Sequence, residues 1–148
     1  MGGYIARQVI KLMTERRLVV SNSRVLVLGL TFKENCPDLR NSKVIDIINE
    51  LKHFDAKVDV YDPWADAEAA VQEYGLRPLR MPKPDTYDAI VIAVAHDVFK
   101  AFGIKKMRAF AKKSHVLYDV KYMFAPLQTD GSSRALVGVT SGVTTGWC

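Results

Sequence analysis

The stretch Arg24-Val25-Leu26-Val27-Leu28-Gly29-Leu30 decides the fold, because it is a short continuous apolar run set between polar segments. Such a run is typical of a strand that is buried on both faces of a parallel sheet. Polar residues follow from Lys33 to Ser42, and Pro37 excludes a helix there. The next apolar residues recur at helical spacing, so the sequence predicts a strand, a loop and then a helix.

The same alternation continues along the chain. We expect Asn41 or Ser42 to cap the second helix, Asp62-Pro63-Trp64 to stop the second strand, and Gly75 to end the third helix. Strands separated by helices imply right-handed crossovers, so the predicted fold class is α/β, a Rossmann-like doubly wound parallel sheet in a single domain. The predicted elements are a helix over 4–18, strands over 24–30, 57–61, 89–95 and 115–120, helices from 44, over 65–74 and from 97, a helical face at Ile104, Met107, Phe110 and Ala111, and an optional short strand over 76–79.

Length and composition describe an ordinary globular chain of 148 residues, 49% hydrophobic and 25% charged. The net charge of +5 suits an anionic partner without saying whether it is a phosphate, a nucleic acid or a membrane surface. An apolar run of roughly 18 residues, a secretory signal and metal-ligand spacing are all missing, so we expect a reduced, cytoplasmic protein without a metal. From residue 129 to 148, 11 of 20 residues are Ser, Thr or Gly, which predicts a loose tail.

The loop after the first strand is the first candidate for a binding site, because a doubly wound sheet binds ligands at the carboxyl ends of its strands. This loop has Gly29 but lacks the G-x-G-x-x-G pattern of a dinucleotide-binding turn. Lys33 and Arg40 lie on it ahead of a helix, and two cations with backbone N–H groups suit phosphate. From the residues alone, solvated loop charges are an equally good interpretation.

Two motifs in this loop resemble the C-terminal, UDP-binding domain of the UDP-glucose/GDP-mannose dehydrogenase family. Gly29-Leu30-Thr31-Phe32-Lys33 and Asp38-Leu39-Arg40-Asn41-Ser42 match the family's Gly-Leu-x-Phe-Lys and Asp-x-Arg-x-Ser at the proper separation. The resemblance extends from the opening helix through Tyr61-Asp62-Pro63 to Tyr118-Asp119-Val120-Lys121. The insert Glu34-Asn35-Cys36-Pro37 is similar to that of bacterial enzymes that act on UDP-N-acetylhexosamines for surface polysaccharides.

The resemblance implies roles for four residues. Phe32 and Lys33 would contact the UDP-sugar, and Arg40 would reach NAD, which the family binds mainly with its N-terminal domain. Lys121 stands where the family has a basic residue that contacts the nucleotide-sugar, arginine in the glucose enzymes. Lysine keeps the charge at that position but not the bidentate geometry.

The resemblance further implies an NAD-dependent UDP-sugar 6-dehydrogenase that oxidises the sugar C6 alcohol twice to a uronic acid and forms a homo-oligomer through its connecting helix. These residues lack the family's glycine-rich NAD loop and its upstream catalytic cysteine, so the chain resembles an excised half that is inactive alone. Residues 1–20 would end the connecting helix, 21–128 would form the UDP-sugar-binding domain, and 129–148 would be the tail. The alternative is a non-catalytic Rossmann-like module that senses nucleotides.

Other residues admit both a chemical and a structural interpretation. Cys36 lies beside Lys33 and ahead of a helix but has no neighbouring histidine, so a nucleophilic role is the weaker interpretation. Asp62 occupies the position of a ribose-binding acid, yet a turn role before Pro63 is favoured without the glycine fingerprint. His96 and Asp97 could face the cleft, although helix capping by Asp97 is simpler. Six cations between residues 98 and 118 favour a solvated helix face over nucleic-acid binding.

Overall fold

Five strands and four helices succeed one another in the part of the chain that the computed structural model describes, residues 2–121, 123–124 and 129–132. Within these ranges no helix is both long enough and apolar enough to cross a bilayer. The elements are α1 (Gly2–Glu15), β1 (Arg24–Leu28), α2 (Val44–His53), β2 (Lys57–Tyr61), α3 (Ala67–Tyr74), β3 (Tyr87–Ile92), α4 (Asp97–Ala109), β4 (Ala111–Asp119) and β5 (Gly131–Ser132).

The strands form one parallel sheet in the order β2-β1-β3-β4-β5. β1 has β2 on one side, with Leu26 opposite Asp59, and β3 on the other, with Leu26 opposite Ile90. The chain leaves β1 toward β2 and then crosses back to β3, which places the topological switch point between β1 and β3. The predicted Rossmann-like, doubly wound α/β fold is confirmed.

β1 is buried on both faces, as its unbroken apolar sequence predicts. Val25 and Val27 belong to the core cluster that includes α1 and α2, whereas Leu26 and Leu28 belong to the cluster that includes α4. Successive side chains of a strand point to opposite faces of the sheet. A helical layer therefore covers each face, and the carboxyl edge of the sheet is left to the loops.

The start of α2 differs from the prediction. Its N-cap residue is Lys43, whose side chain makes no capping hydrogen bond. The Ser42 hydroxyl instead donates to the carbonyl oxygen of Leu30, 2.5 Å away. The predicted cap is wrong because this hydroxyl closes the preceding loop. Gly75, by contrast, ends α3 as predicted, with φ at 70° and its N–H bonded to the carbonyl oxygen of Val71.

Three other elements differ in extent from the prediction, because contacts with distant parts of the chain lengthen or shorten what the local sequence indicates. The optional strand at 76–79 is reduced to one bridge between Tyr61 and Leu79. Helix α4 runs on to Ala109 across a kink at Gly103, where φ is 75° and ψ is 164°. Strand β4 begins at Ala111 rather than His115, since Ala111 pairs with Tyr87 at the start of β3.

The edge strand β5 lies within the predicted loose tail, so the prediction is wrong for Gly131 and Ser132. β5 pairs in parallel with the end of β4. The Asp130 N–H donates to the carbonyl oxygen of Leu117 at 2.8 Å, and the Leu117 N–H donates to Asp130 Oδ2 at 2.7 Å. The guanidinium groups of Arg16 and Arg108 also contact the Asp130 carboxylate. Residues 133–148 of the predicted tail lie outside the described residues.

Candidate functional site

The β1–α2 loop (residues 29–43) opens at the switch point with a turn that requires glycine. Gly29 has φ at 102°, a region that side-chain-bearing residues rarely adopt. A Cβ placed there would lie 2.5 Å from the Cβ of Val94, which follows β3. The Gly29 N–H donates to the carbonyl oxygen of Tyr61 at 2.9 Å, so the turn is closed between β2 and the end of β3.

Asp62, directly after β2, holds the first residues of this loop. Its Oδ2 accepts hydrogen bonds from the backbone N–H of Leu30 at 2.6 Å and of Thr31 at 3.0 Å. Its Oδ1 accepts from the Trp64 N–H at 2.8 Å, which confirms the predicted turn role. Burial raises the pKa of the Asp62 carboxyl, but the hydrogen bonds from His96, Leu30 and Thr31 outweigh this effect and hold it below its ordinary value.

His96, at the start of α4, holds a second point on the loop. Its ring is completely buried, and its Nδ1 accepts a hydrogen bond from the backbone N–H of Asn35 at 2.8 Å. An accepting Nδ1 carries no hydrogen, so the hydrogen-bond network assigns the ring hydrogen to Nε2. Nε2 lies 3.0 Å from Asp62 Oδ2 and 3.2 Å from Thr31 Oγ1. Asp62 and His96 are therefore linked to each other as well as to the loop.

The Asn35 side chain completes this link in the reverse direction. Its Oδ1 accepts from the backbone N–H of Asp97 at 3.0 Å, and its backbone has a positive φ of 55°, which asparagine tolerates better than most residues. The N-cap residue of α4 is His96, and the Asp97 side chain points to solvent near Lys100. The predicted capping by Asp97 is therefore wrong, because the Asn35 side chain of the β1–α2 loop bonds the first N–H group of α4.

The far arm of the loop is tied to α3. The Tyr74 hydroxyl donates to the carbonyl oxygen of Leu39 and accepts from the Ser42 N–H at 3.1 Å. Across the loop, the Phe32 N–H donates to the carbonyl oxygen of Asp38 at 2.7 Å. These contacts close residues 32–38 into a small ring of chain at the carboxyl edge.

Three of the four predicted site residues lie together on this loop. The Phe32 ring is 52% exposed, and Phe32, Asp38, Arg40 and Asn41 line an open depression of about 300 Å³. Lys33 adjoins Phe32 and is half-buried. Arg40 bonds Asp38 from Nε at 3.1 Å and from Nη2 at 3.2 Å, a contact that lowers the pKa of Asp38 and raises the pKa of Arg40.

Lys121, the fourth predicted site residue, and Cys36, the candidate nucleophile, do not line this depression. Lys121 is exposed and follows β4, which is separated from β1 by β3. It therefore shares the carboxyl edge with the β1–α2 loop, two strands away. Cys36 is completely buried and is disulfide-bonded, so it offers no free thiol to a substrate in the cleft, and the expected reduced state does not hold for this residue.

Sequence reasoning missed the way Asp62 and His96 act as a pair. The two residues are 34 positions apart and meet only because β2 and β3 flank β1 in parallel. One signal was available, since both are polar residues that follow apolar strands at what must be the same edge of a parallel sheet. Tyr74, at the end of α3, gives no comparable signal.

A doubly wound sheet whose switch-point loop presents an exposed aromatic ring and cations belongs to the nucleotide-binding class of α/β domains. Residues 26–126 match the model of the UDP-glucose/GDP-mannose dehydrogenase family, UDP binding domain. The chain belongs to this family and is its UDP-binding domain.

Curated relatives agree with this assignment. The chain is 50% identical over 130 residues to a UDP-N-acetyl-D-glucosamine 6-dehydrogenase from Pseudomonas aeruginosa, and 48% identical over 130 residues to the enzyme of that name from Salmonella typhi. Each alignment covers 88% of this chain but 31% of the relative, so the chain spans just under a third of their length.

Solved structures show the same fold. A UDP-glucose dehydrogenase from Pyrobaculum islandicum superposes with a TM-score of 0.64 at 25% identity, over 87% of this chain and 29% of that one. An NDP-N-acetyl-D-galactosaminuronic acid dehydrogenase from Methanosarcina mazei gives 0.74 at 19% identity, over 86% and 26% of the two chains. The second likeness concerns the fold alone.

Proposed function

We propose that this chain is the nucleotide-sugar-binding part of an NAD-dependent UDP-sugar 6-dehydrogenase. In this proposal the whole enzyme oxidises the C6 alcohol of a UDP-hexose or UDP-N-acetylhexosamine to a uronic acid for polysaccharide biosynthesis. The names of the two relatives near 50% identity support an N-acetylhexosamine. Full-length homo-oligomerisation and a cytoplasmic location belong to the same proposal.

The observation that carries the proposal is the fixed β1–α2 loop at the switch point of a UDP-binding family. The half-exposed Phe32 ring offers an apolar face to a base or sugar, and the neighbouring Lys33 supplies a cation for the diphosphate. Lys121 adds a second cation from the end of β4 at the same edge of the sheet. The contribution of this domain would be to hold the substrate in place rather than to react with it.

The first turn of this domain does not fit the pyrophosphate of NAD. In a dinucleotide fold the second glycine of G-x-G-x-x-G lets the backbone approach the cofactor, whereas here Thr31 and Glu34 stand where the second and third glycines would be. Arg40 is the residue that suits a contact with NAD, because its side chain is 81% exposed at the rim of the depression. We therefore assign NAD mainly to the family's N-terminal domain, with Arg40 reaching it from across the cleft.

Replacing one cation at a time tests these roles. Titrated with UDP at fixed salt, Lys33→Ala should weaken binding at least tenfold, because a charge-assisted hydrogen bond contributes about 1.5–3 kcal/mol. Arg40→Ala should leave UDP affinity nearly unchanged, since its proposed partner is NAD. Lys43→Ala, an exposed cation at the end of the same loop, is the matched control and should also bind normally.

Equal losses in all three variants would contradict the assignment and indicate nonspecific attraction between a basic surface and an anion. Reassembled with the rest of the enzyme, Arg40→Ala should raise the NAD concentration needed for half-maximal rate and leave that for the UDP-sugar unchanged. The reverse pattern would overturn the role given to Arg40.

A further inference from the structure

Two completely buried polar side chains, Asp62 and His96, contact the β1–α2 loop at three successive points. Asp62 accepts from the backbone N–H groups of Leu30 and Thr31, and His96 accepts from that of Asn35. Asp62 follows β2 and His96 follows β3. A hydrogen bond of 3.0 Å joins His96 Nε2 to Asp62 Oδ2. Phe32 and Lys33 lie between the second and the third anchored point.

Sheet pairing does not need these contacts. The last ladder contacts at this edge are already made by the backbone, since the N–H groups of Ala93 and Val94 donate to the carbonyl oxygen of Leu28. Leu30, Thr31 and Asn35 lie beyond that point, where their N–H groups have left the ladder. A buried carboxylate and imidazole are costly to desolvate, and such pairs are better at fixing one conformation than at adding stability.

The surroundings of His96 fix its ring as firmly as its hydrogen bonds do. The Phe99 ring meets it edge-on at 5.3 Å, and the indole of Trp64 stacks on it at 6.2 Å. The backbone N–H of Trp64 donates to Asp62 Oδ1. Trp64 and Phe99 thus both pack against the imidazole ring whose Nδ1 bonds the loop.

We infer that Asp62 and His96 are positioning residues, which hold the β1–α2 loop in the one conformation that presents Phe32 and Lys33 to UDP. The inference rests on the proposed function of these two loop residues. A loop that is released from its anchors populates the binding-competent conformation less often, and the apparent affinity for UDP falls in proportion to that population.

Two substitutions of His96 distinguish a role in positioning the β1–α2 loop from a role in the stability of the fold alone. His96→Asn places a carbonyl oxygen near the position of Nδ1 and keeps an acceptor for the Asn35 N–H. His96→Gln places an amide nitrogen near the position of Nε2 and keeps a donor for Asp62. Both replace the same ring, and Asn, one methylene shorter than Gln, leaves the larger cavity beside Phe99. His96→Asn should therefore lose at least as much stability as His96→Gln.

The readouts are the Kd for UDP, hydrogen exchange at the Asn35 amide and thermal unfolding of the chain. We expect His96→Gln to bind UDP about tenfold more weakly with a fast-exchanging Asn35 amide, and His96→Asn to stay within about twofold of the parent with that amide protected. Tyr87→Phe is the control, because it removes a 2.7 Å hydrogen bond to Asp59 at the opposite end of the sheet. It should lower stability and leave UDP affinity unchanged.

Equal UDP affinities for the Asn and Gln variants would overturn the inference, whether both are weakened or neither is. The inference is also overturned if the loss of UDP affinity is proportional to the loss of stability in His96→Asn, His96→Gln and Tyr87→Phe. A residue with a purely structural role would behave in that way. If the unmodified chain does not bind UDP, the proposed function of this loop fails first and the inference fails with it. If it binds UDP but needs Lys33 and not His96, the function stands and only the inference fails.

Discussion

The carboxylate of Asp62 carries a charge where no water reaches it. It can do so because three N–H donors share Oδ2 and a fourth bonds Oδ1. With four donors directed at its two oxygens, the ionised form is favoured over the acid despite burial. The residue therefore couples the geometry of the β1–α2 loop to the protonation state of one group.

This coupling has a definite pH dependence. Because the folded-state pKa of Asp62 lies below its ordinary value of 3.8, the unfolded chain takes up the proton first as the pH falls. The stabilisation from Asp62 is fully present above about pH 4 and disappears as the pH drops through the lowered folded-state pKa. A neutral replacement should make the free energy of unfolding less steep with pH in this window.

Asp62→Asn should lower the free energy of unfolding at neutral pH by about 2 kcal/mol, because an amide must turn its NH₂ toward at least one buried N–H group. Urea unfolding at several pH values measures both effects. Asp97→Asn is the matched control, since its carboxylate is exposed and lies 3.8 Å from Lys100; it should change stability by less than about 0.5 kcal/mol. An acid-side slope that is identical in the Asp62 variant and the parent would contradict the assignment.

At the scale of single residues, the sequence predicts where Asp62 and His96 lie relative to the strands. It does not predict which residues they bond. Strand ends at Asp62 and near His96 follow from apolar periodicity, and the turn role of Asp62 follows from the proline after it. Their mutual contact depends on which strands flank β1, and a single sequence does not encode strand order locally. The capping of α4 by Asn35 is equally non-local, with 62 positions between donor and acceptor.

The edge strand β5 shows how one charged residue can order a polar segment. Ser, Thr and Gly bury little apolar surface, which is why composition alone predicts a loose tail. Asp130 supplies what composition lacks: a carboxylate that bonds the Leu117 N–H and contacts the guanidinium groups of Arg16 and Arg108. Gly131 then fits closely, since a Cβ there would lie 2.8 Å from side-chain atoms of both Leu12 and Tyr118.

Asp130→Ala should release β5 while leaving the other four strands intact. We expect faster hydrogen exchange at the Leu117 amide and a loss of about 2 kcal/mol in the free energy of unfolding, because a buried N–H and two partly buried guanidinium groups lose their acceptor. Glu68→Ala, which breaks an exposed ion pair with Arg77, is the control and should leave the Leu117 amide protected. Unchanged exchange in the Asp130 variant would show that β5 is held by backbone pairing alone.

The sequence predicts the bounds of a helix or strand well where apolar residues recur at regular spacing. β2 occupies the predicted range 57–61, and α2 begins at the predicted Val44. β4 extends four residues earlier than predicted, because Lys112, Lys113 and Ser114 are exposed polar residues that give no strand signal. Their strand conformation comes from pairing with β3 across the register shift between Tyr87 and Ala89.

At the scale of the whole molecule, topology gathers every proposed ligand contact at one edge. Phe32, Lys33 and Arg40 follow β1 and Lys121 follows β4, and the carboxyl ends of parallel strands face the same way. The opposite edge holds a different arrangement, in which Arg24 and Tyr87 both donate hydrogen bonds to Asp59 Oδ2. The proposed ligand contacts thus lie at one edge, and the bonded cluster around Asp59 lies at the other.

This division predicts that the chain binds its nucleotide without performing the oxidation. Hydride transfer needs NAD beside the sugar, and the turn at Gly29 has Thr31 and Glu34 where a dinucleotide fold has the glycines that accommodate the pyrophosphate. Covalent catalysis needs an accessible thiolate, and Cys36 is completely buried and is not a free thiol. Incubated with NAD and a UDP-sugar, the purified chain should therefore produce no NADH absorbance above the enzyme-free background, while one of the full-length relatives gives turnover under the same conditions. NADH formation proportional to the concentration of the chain, and abolished by Cys36→Ser, would instead place the reacting thiol within these residues and overturn the division of labour proposed for the family's two domains.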